Sequence, residues 1–138
     1  MGDVNFLLGK AGFILFTMGL VIGAFIPKLQ NPRMGLSAHL TAVQVGTALI
    51  AFGLFWPYFS IASWASGPLS ISLILSSGLL VFGLLLAAAF GASKALPLAG
   101  TGFRASPAME IIVSALTVGS SVWMLLACLG ICFFGFIS

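Results

Sequence analysis

The sequence predicts an all-α fold, a four-helix bundle integral to a membrane. Three observations predict it. Hydrophobic residues fill 61% of the 138 positions and charged residues 5%, whereas a soluble domain carries about 25% charge. Four stretches reach the roughly 20 mostly apolar residues needed to cross a bilayer. Together they consume most of residues 1–138, so the chain reads as a single transmembrane domain. Seven charged side chains cannot coat a water-soluble globule, which excludes a cytosolic enzyme and a disordered tail. The five Lys and Arg are scattered, so the +3 charge forms no patch for nucleic acid.

The first helix is expected over approximately 6–26, ending at Pro27-Lys28. It does not read as a cleavable signal peptide, because Asp3 replaces a basic start and Pro27-Lys28-Leu29 is no small-residue cleavage site. The second spans approximately 36–56 and ends at Pro57-Tyr58; Asn31-Pro32 is a favourable N-cap and N1 pair, so the helix can begin there, ahead of the membrane. Trp56, Tyr58 and Trp64 bracket the second connection, as aromatic residues do at a membrane interface. The third helix is expected over approximately 69–94. Ser106-Pro107 repeats the cap device for the fourth, expected over approximately 108–136, and Glu110 falls in its first turn, where the helix dipole favours a negative charge.

Lys28 and Arg33 lie in loop 1, Lys94 and Arg104 in or beside loop 3, and loop 2 carries no charge. The positive-inside rule therefore puts loops 1 and 3 in the cytoplasm, and the expected location is a bacterial inner membrane. Small residues recur at helical spacing: Gly19 and Gly23 in the first helix, and Gly83, Ala87 and Gly91 in the third. Lipid supplies no hydrophobic drive between helices, so such stripes argue for close backbone packing, within one chain or between subunits. Cys128 and Cys132 are four apart on one helical face, where Cβ atoms stand about 5–6 Å apart, so packing rather than a disulfide is expected.

The chemical inventory is one His, one Tyr, one Glu and one Asp. It lacks the ligands for a zinc or di-iron cluster and the trio for nucleophilic hydrolysis. His39 is the candidate. Gly35, Ala42 and Gly46 share its helical face, and an imidazole flanked by small residues leaves a flat slot suited to a planar macrocycle. Imidazole is a common ligand for haem iron, and an ionisable group in a span is a functional candidate by default. The alternative is an interfacial His bonded to a backbone carbonyl. One His per chain leaves one axial iron position open or filled from another subunit, which leans towards Lewis-acid catalysis over electron transfer. Arg33 and Lys28 could pair with haem propionates or anchor to lipid headgroups.

The run Asn31-Pro32-Arg33-Met34-Gly35-Leu36-Ser37-Ala38-His39-Leu40 resembles the signature of the styrene oxide isomerase and hydroxylaminobenzene mutase family. A softer likeness covers Ala88-Ala89-Phe90-Gly91-Ala92, Leu96-Pro97-Leu98-Ala99-Gly100 and Glu110. The resemblance implies four spans, a homotrimer, and haem b at protomer boundaries with iron ligated by His39. It also implies isomerisation of a small apolar substrate, either an epoxide to an aldehyde or an aryl hydroxylamine to an aminophenol. The sequence departs from the isomerase pattern at three places. Val45 stands where an Asn is expected, with Gln44 turned about 100° away. The third helix has no Tyr, and Thr41 stands where relatives tend to have Glu. The departures keep two rivals open: a non-catalytic haem subunit of a larger membrane complex, and a cofactor-free structural subunit.

Overall fold

The computed structural model describes residues 2–137. Four long helices dominate: α1 (Gly2–Phe25), α2 (Pro32–Phe55), α3 (Ser63–Phe90) and α5 (Pro107–Cys132). A single turn, α4 (Pro97–Gly100), lies between the last two. Each long helix has the length and apolar composition to cross a membrane, and no strand occurs among the described residues. Tight turns at Ile26–Lys28 and Trp56–Tyr58 close α1 and α2, each around a proline that cannot continue the helical hydrogen-bond ladder.

The boundaries have local causes. Asn31 caps α2, its side-chain oxygen accepting from the Met34 amide at 3.2 Å, and Pro32 takes the first helical position. Helix α3 begins at Ser63, ahead of the expected start near 69, because Pro68 falls in the second turn, where its missing N–H orphans only one carbonyl. It ends at Phe90 rather than 94: Gly91 adopts φ 73°, a left-handed conformation that terminates the helix. Ser106 caps α5 through the Met109 amide at 3.3 Å. Helix α4 was not expected from the sequence. Trp56 also differs from the interfacial expectation. It is buried, with its indole N–H donating to the Ser66 hydroxyl at 2.9 Å, while Tyr58 and Trp64 are exposed.

The helices pack as two hairpins, α1 with α2 and α3 with α5. Helix α3 also packs near α2 and α1, whereas among the described residues no Cα of α2 or α1 comes within 8 Å of one in α5. The four spans therefore form an open arrangement with α3 as common neighbour rather than a closed ring. Polarity is inverted relative to a soluble protein. Phe13, Leu20, Leu125 and Phe136 are exposed, while Ser70, Ser76, Ser77, Thr117 and Ser120 are buried. The Ser70, Ser76, Thr117 and Ser120 hydroxyls donate to carbonyls of their own helix three or four residues back, so none is left bare among apolar neighbours.

The α1–α2 hairpin closes on backbone. A Cβ at Gly12 would lie 2.5 Å from the Gly46 carbonyl oxygen, and one at Gly46 would lie 2.6 Å from the Phe16 nitrogen. No flexible side chain can yield there, so the two positions exclude any larger residue. Gly46→Leu is expected to cost about 1–3 kcal/mol or more through this overlap and to lower the thermal unfolding midpoint in detergent. Gly119→Ala, with nothing within 4 Å of the new methyl, is expected to hold or raise that midpoint.

Candidate functional site

His39 sits about two turns into α2, half-buried against α1. Its Nδ1 lies 2.7 Å from the Gly19 carbonyl oxygen. A carbonyl only accepts, so the proton of a neutral ring resides on Nδ1 and the lone pair on Nε2. That second nitrogen has no hydrogen-bond partner among the described residues and is not sealed from the surface. The contact needs Gly23, where a Cβ would stand 2.8 Å from Nδ1. The stripe Gly19–Gly23 thus supplies both the acceptor and the room for the ring. An imidazole held by one nitrogen with the other open is the arrangement through which proteins orient a histidine towards a metal.

The small flank of His39 serves another purpose within the chain than the sequence suggests. Gly35, Ala42 and Gly46 are all buried. Gly46 meets α1 backbone at Gly12 and Phe16, Ala42 lies against Gly19, and Gly35 is covered by Leu29 and Ile26. The slot expected there for a macrocycle is filled by α1 and the turn after it, because the same absence of side chains that would admit a flat ring admits a helix more completely. Arg33 donates from its guanidinium to the Thr101 carbonyl, and Lys28 lies 5.2 Å from the centre of the Phe25 ring. Both are exposed at the end of the bundle that carries Lys94 and Arg104.

A second feature had no signature in the sequence. Because α2 and α5 stand apart, a groove of about 400 Å³ runs between them over α3. Leu80, Leu84, Leu96, Val118 and Val122 make its apolar walls, and Ser37, Thr41, Thr117 and Ser121 bring hydroxyls. Ser37 donates to the Arg33 carbonyl at 3.3 Å, Thr117 to Val113 at 2.7 Å and Ser121 to Thr117 at 2.7 Å. Their protons are spent on the backbone while their oxygen lone pairs remain available. The Thr41 hydroxyl has no partner among the described residues. Thr41 and His39, two residues apart, project about 200° apart around α2, so the groove and the imidazole occupy opposite sides of one helix. Of the positions where the sequence departs from the isomerase pattern, Thr41 lines this groove, Val45 is half-buried, Gln44 is exposed, and Tyr58 sits exposed at the far end of α2.

Above the groove the α3–α5 connection is tied down by side chains reaching its backbone. The Glu110 carboxylate accepts from the amides of Ser93 (3.1 Å to each oxygen), Lys94 (2.9 Å) and Ala105 (3.2 Å). The sequence places Glu110 as a dipole partner of its own helix; the structure spends it instead on the loop. Asn31, fully buried, donates from its amide to the Ala99 carbonyl at 2.9 Å. Its own backbone N–H donates to Ala88 at 2.9 Å. Cys128 and Cys132 are free thiols.

Four helices long and apolar enough to cross a membrane, a single imidazole held from one side, and a hydroxyl-bearing groove define a small four-span membrane protein. The chain belongs to the styrene oxide isomerase family, whose model matches residues 5–136. It is 33% identical to hydroxylaminobenzene mutase HabB of Ectopseudomonas oleovorans over 127 residues, covering 86% of this chain and 73% of the relative. It is 37% identical to hydroxylaminobenzene mutase HabA of the same organism over 109 residues, covering 78% of this chain and 80% of the relative. No solved structure shows significant similarity to it.

The one histidine makes the ring directly observable. In haem-free protein labelled with nitrogen-15 histidine, Nδ1 is expected to show the N–H type of shift and Nε2 the lone-pair type. Gly23→Ala is expected to abolish that asymmetry by displacing the ring from Gly19. An unchanged spectrum in the variant would show that the Gly19 bond does not set the tautomer.

Proposed function

We propose that this chain is a membrane isomerase that rearranges a small apolar aromatic molecule carrying an N–O or C–O function, with haem b ligated by His39. The observation that carries the proposal is the imidazole fixed by Gly19 with Nε2 open. The donor atom suits haem iron, whereas the enclosing pocket is not supplied by one chain. Bound there, haem iron would provide a Lewis acid for a substrate oxygen.

The groove supplies the other half of the reading. It is large enough for a benzene ring with a short substituent, and its low-dielectric walls exclude the water that would divert a rearrangement into hydrolysis. The Ser121 and Thr117 oxygens can accept from N–H or O–H groups, and Thr41 can donate to an oxygen. This set matches an aryl hydroxylamine better than an epoxide, which offers no donor. The two relatives named as hydroxylaminobenzene mutases support the same choice. The rearrangement needs no co-reactant: the N–O bond breaks, a C–O bond forms on the ring, and the displaced ring proton ends on nitrogen. Since the imidazole and the groove occupy opposite sides of α2, a site using both requires a second copy, which the homotrimer implied by the resemblance would provide. We place loops 1 and 3 on the cytoplasmic side of a bacterial inner membrane, following their Lys and Arg.

A second reading, a non-catalytic haem subunit of a larger membrane complex, is favoured by one observation: Val45 is apolar where the isomerase pattern has an amide. Two measurements separate the readings. The purified protein is expected to show a Soret band that His39→Ala loses; a colourless parent would remove the haem proposal. Given hydroxylaminobenzene and styrene oxide, the parent is expected to convert the former to aminophenol, and His39→Ala to lose about 100-fold or more. A haem-loaded protein inert towards both substrates would favour the second reading.

A further inference from the structure

We propose that Glu110 is a positioning residue for the groove, setting its roof from outside. The inference rests on reading the groove as the substrate site. The strap from Ser93 to Thr101 crosses the groove's end, and Ala95 and Leu96 line it directly. Glu110 does not line the groove. Its carboxylate instead gathers four hydrogen bonds from three amides, two of them at Ser93 and Lys94, immediately before the roof residues. The third amide, Ala105, belongs to the far end of the same connection. One buried carboxylate therefore pins both ends of the α3–α5 connection together. Leu96 is tied back in turn, its N–H donating to the Ser93 carbonyl at 3.1 Å. Asn31 and Arg33 hold the strap further along, at the Ala99 and Thr101 carbonyls.

The chemistry of the pin is specific. Backbone amides can only donate, and a carboxylate offers lone pairs in several directions at once, so one group satisfies all three. Gln keeps the shape of Glu but replaces one acceptor oxygen by a donor that faces amide N–H groups. Asp keeps the charge but is one methylene short. Both substitutions release the Ser93–Lys94 end without replacing any residue that lines the groove. Leu96 and Ala95 then lose their fixed position over the groove, so bound substrate is gripped less well while the reacting groups are untouched.

The experiment uses the full chain with Cys128→Ala and Cys132→Ala as background and Leu96→Cys as reporter. Reaction of residue 96 with a membrane-impermeant maleimide is expected to be slow with Glu110 present and about tenfold faster with Glu110→Gln or Glu110→Asp. In the chain with Leu96 retained, both variants are expected to raise KM for hydroxylaminobenzene about tenfold while kcat stays within about twofold. Equal labelling rates in parent and variants, or a fall in kcat at unchanged KM, would overturn the proposal. If labelling responds as expected while the parent neither binds nor converts any substrate offered, the roof assignment stands and the isomerase reading falls. Should Glu110→Gln fail to accumulate in membranes, Glu110→Asp carries the comparison.

Discussion

The close crossing of α1 over α2 is the constraint on which the remaining architecture depends. Between Gly12 and Gly46 the two helices meet backbone to backbone, with no side chain to act as spacer. Lipid offers these helices no reason to separate from it, so their pairing relies on dispersion contacts that only such close approach maximises. Two turns further along, the same proximity brings the Gly19 carbonyl within 2.7 Å of His39. A wider crossing would leave the imidazole without its acceptor and free to rotate. The orientation of the one histidine is thus an outcome of helix packing some distance away.

The other hairpin follows a related logic with different materials. Helices α3 and α5 approach at Gly83, where a Cβ would stand 2.9 Å from that of Leu116, and buried serines and threonines fill the remaining interface. Apart from Ser77, which reaches across to the Met124 sulfur at 3.7 Å, these hydroxyls bond within their own helices, so they add little directional attraction between helices and act chiefly as small, self-satisfied fillers. Irregular backbone at the membrane boundary is a costlier problem, because each unpaired N–H or carbonyl there loses its water. Glu110, Asn31 and Arg33 answer it by supplying the α3–α5 connection with side-chain partners.

Much of this was legible in the sequence, and the residues show why. Four long apolar runs can hardly be anything but spans, and Asn31-Pro32 and Ser106-Pro107 announce helix starts because side-chain oxygen and proline have few other uses together. His39 stood out as the sole imidazole. Its flank misled: Gly35, Ala42 and Gly46 show that something comes close, but the pattern cannot say whether a porphyrin or a neighbouring helix does, since both need the same emptiness. Helix α3 starts ahead of its long apolar run, with Pro68 in an early turn, where a proline costs a helix little. The groove was invisible because it arises from two helices, α2 and α5, whose backbones stand apart, and no residue type encodes such a separation. Glu110 was read through its own helix because its partners are backbone amides, which leave no trace in a sequence.

On the proposed reading of the groove as the substrate site, the gap between α2 and α5 bears on how a reactant would arrive. In one chain the cleft between these two long apolar helices is open sideways, towards lipid or towards the second copy that a shared site would require. A solute dissolved in the bilayer enters by lateral diffusion without first passing through water, and its working concentration is the one set by oil–water partition. If the groove is the substrate site proposed above, selectivity would act twice, once when the membrane extracts apolar molecules from the surrounding water and again at the hydroxyls. A greasy molecule that fits the groove poorly can outcompete a well-fitting polar one simply by being more abundant in the phase that feeds the door.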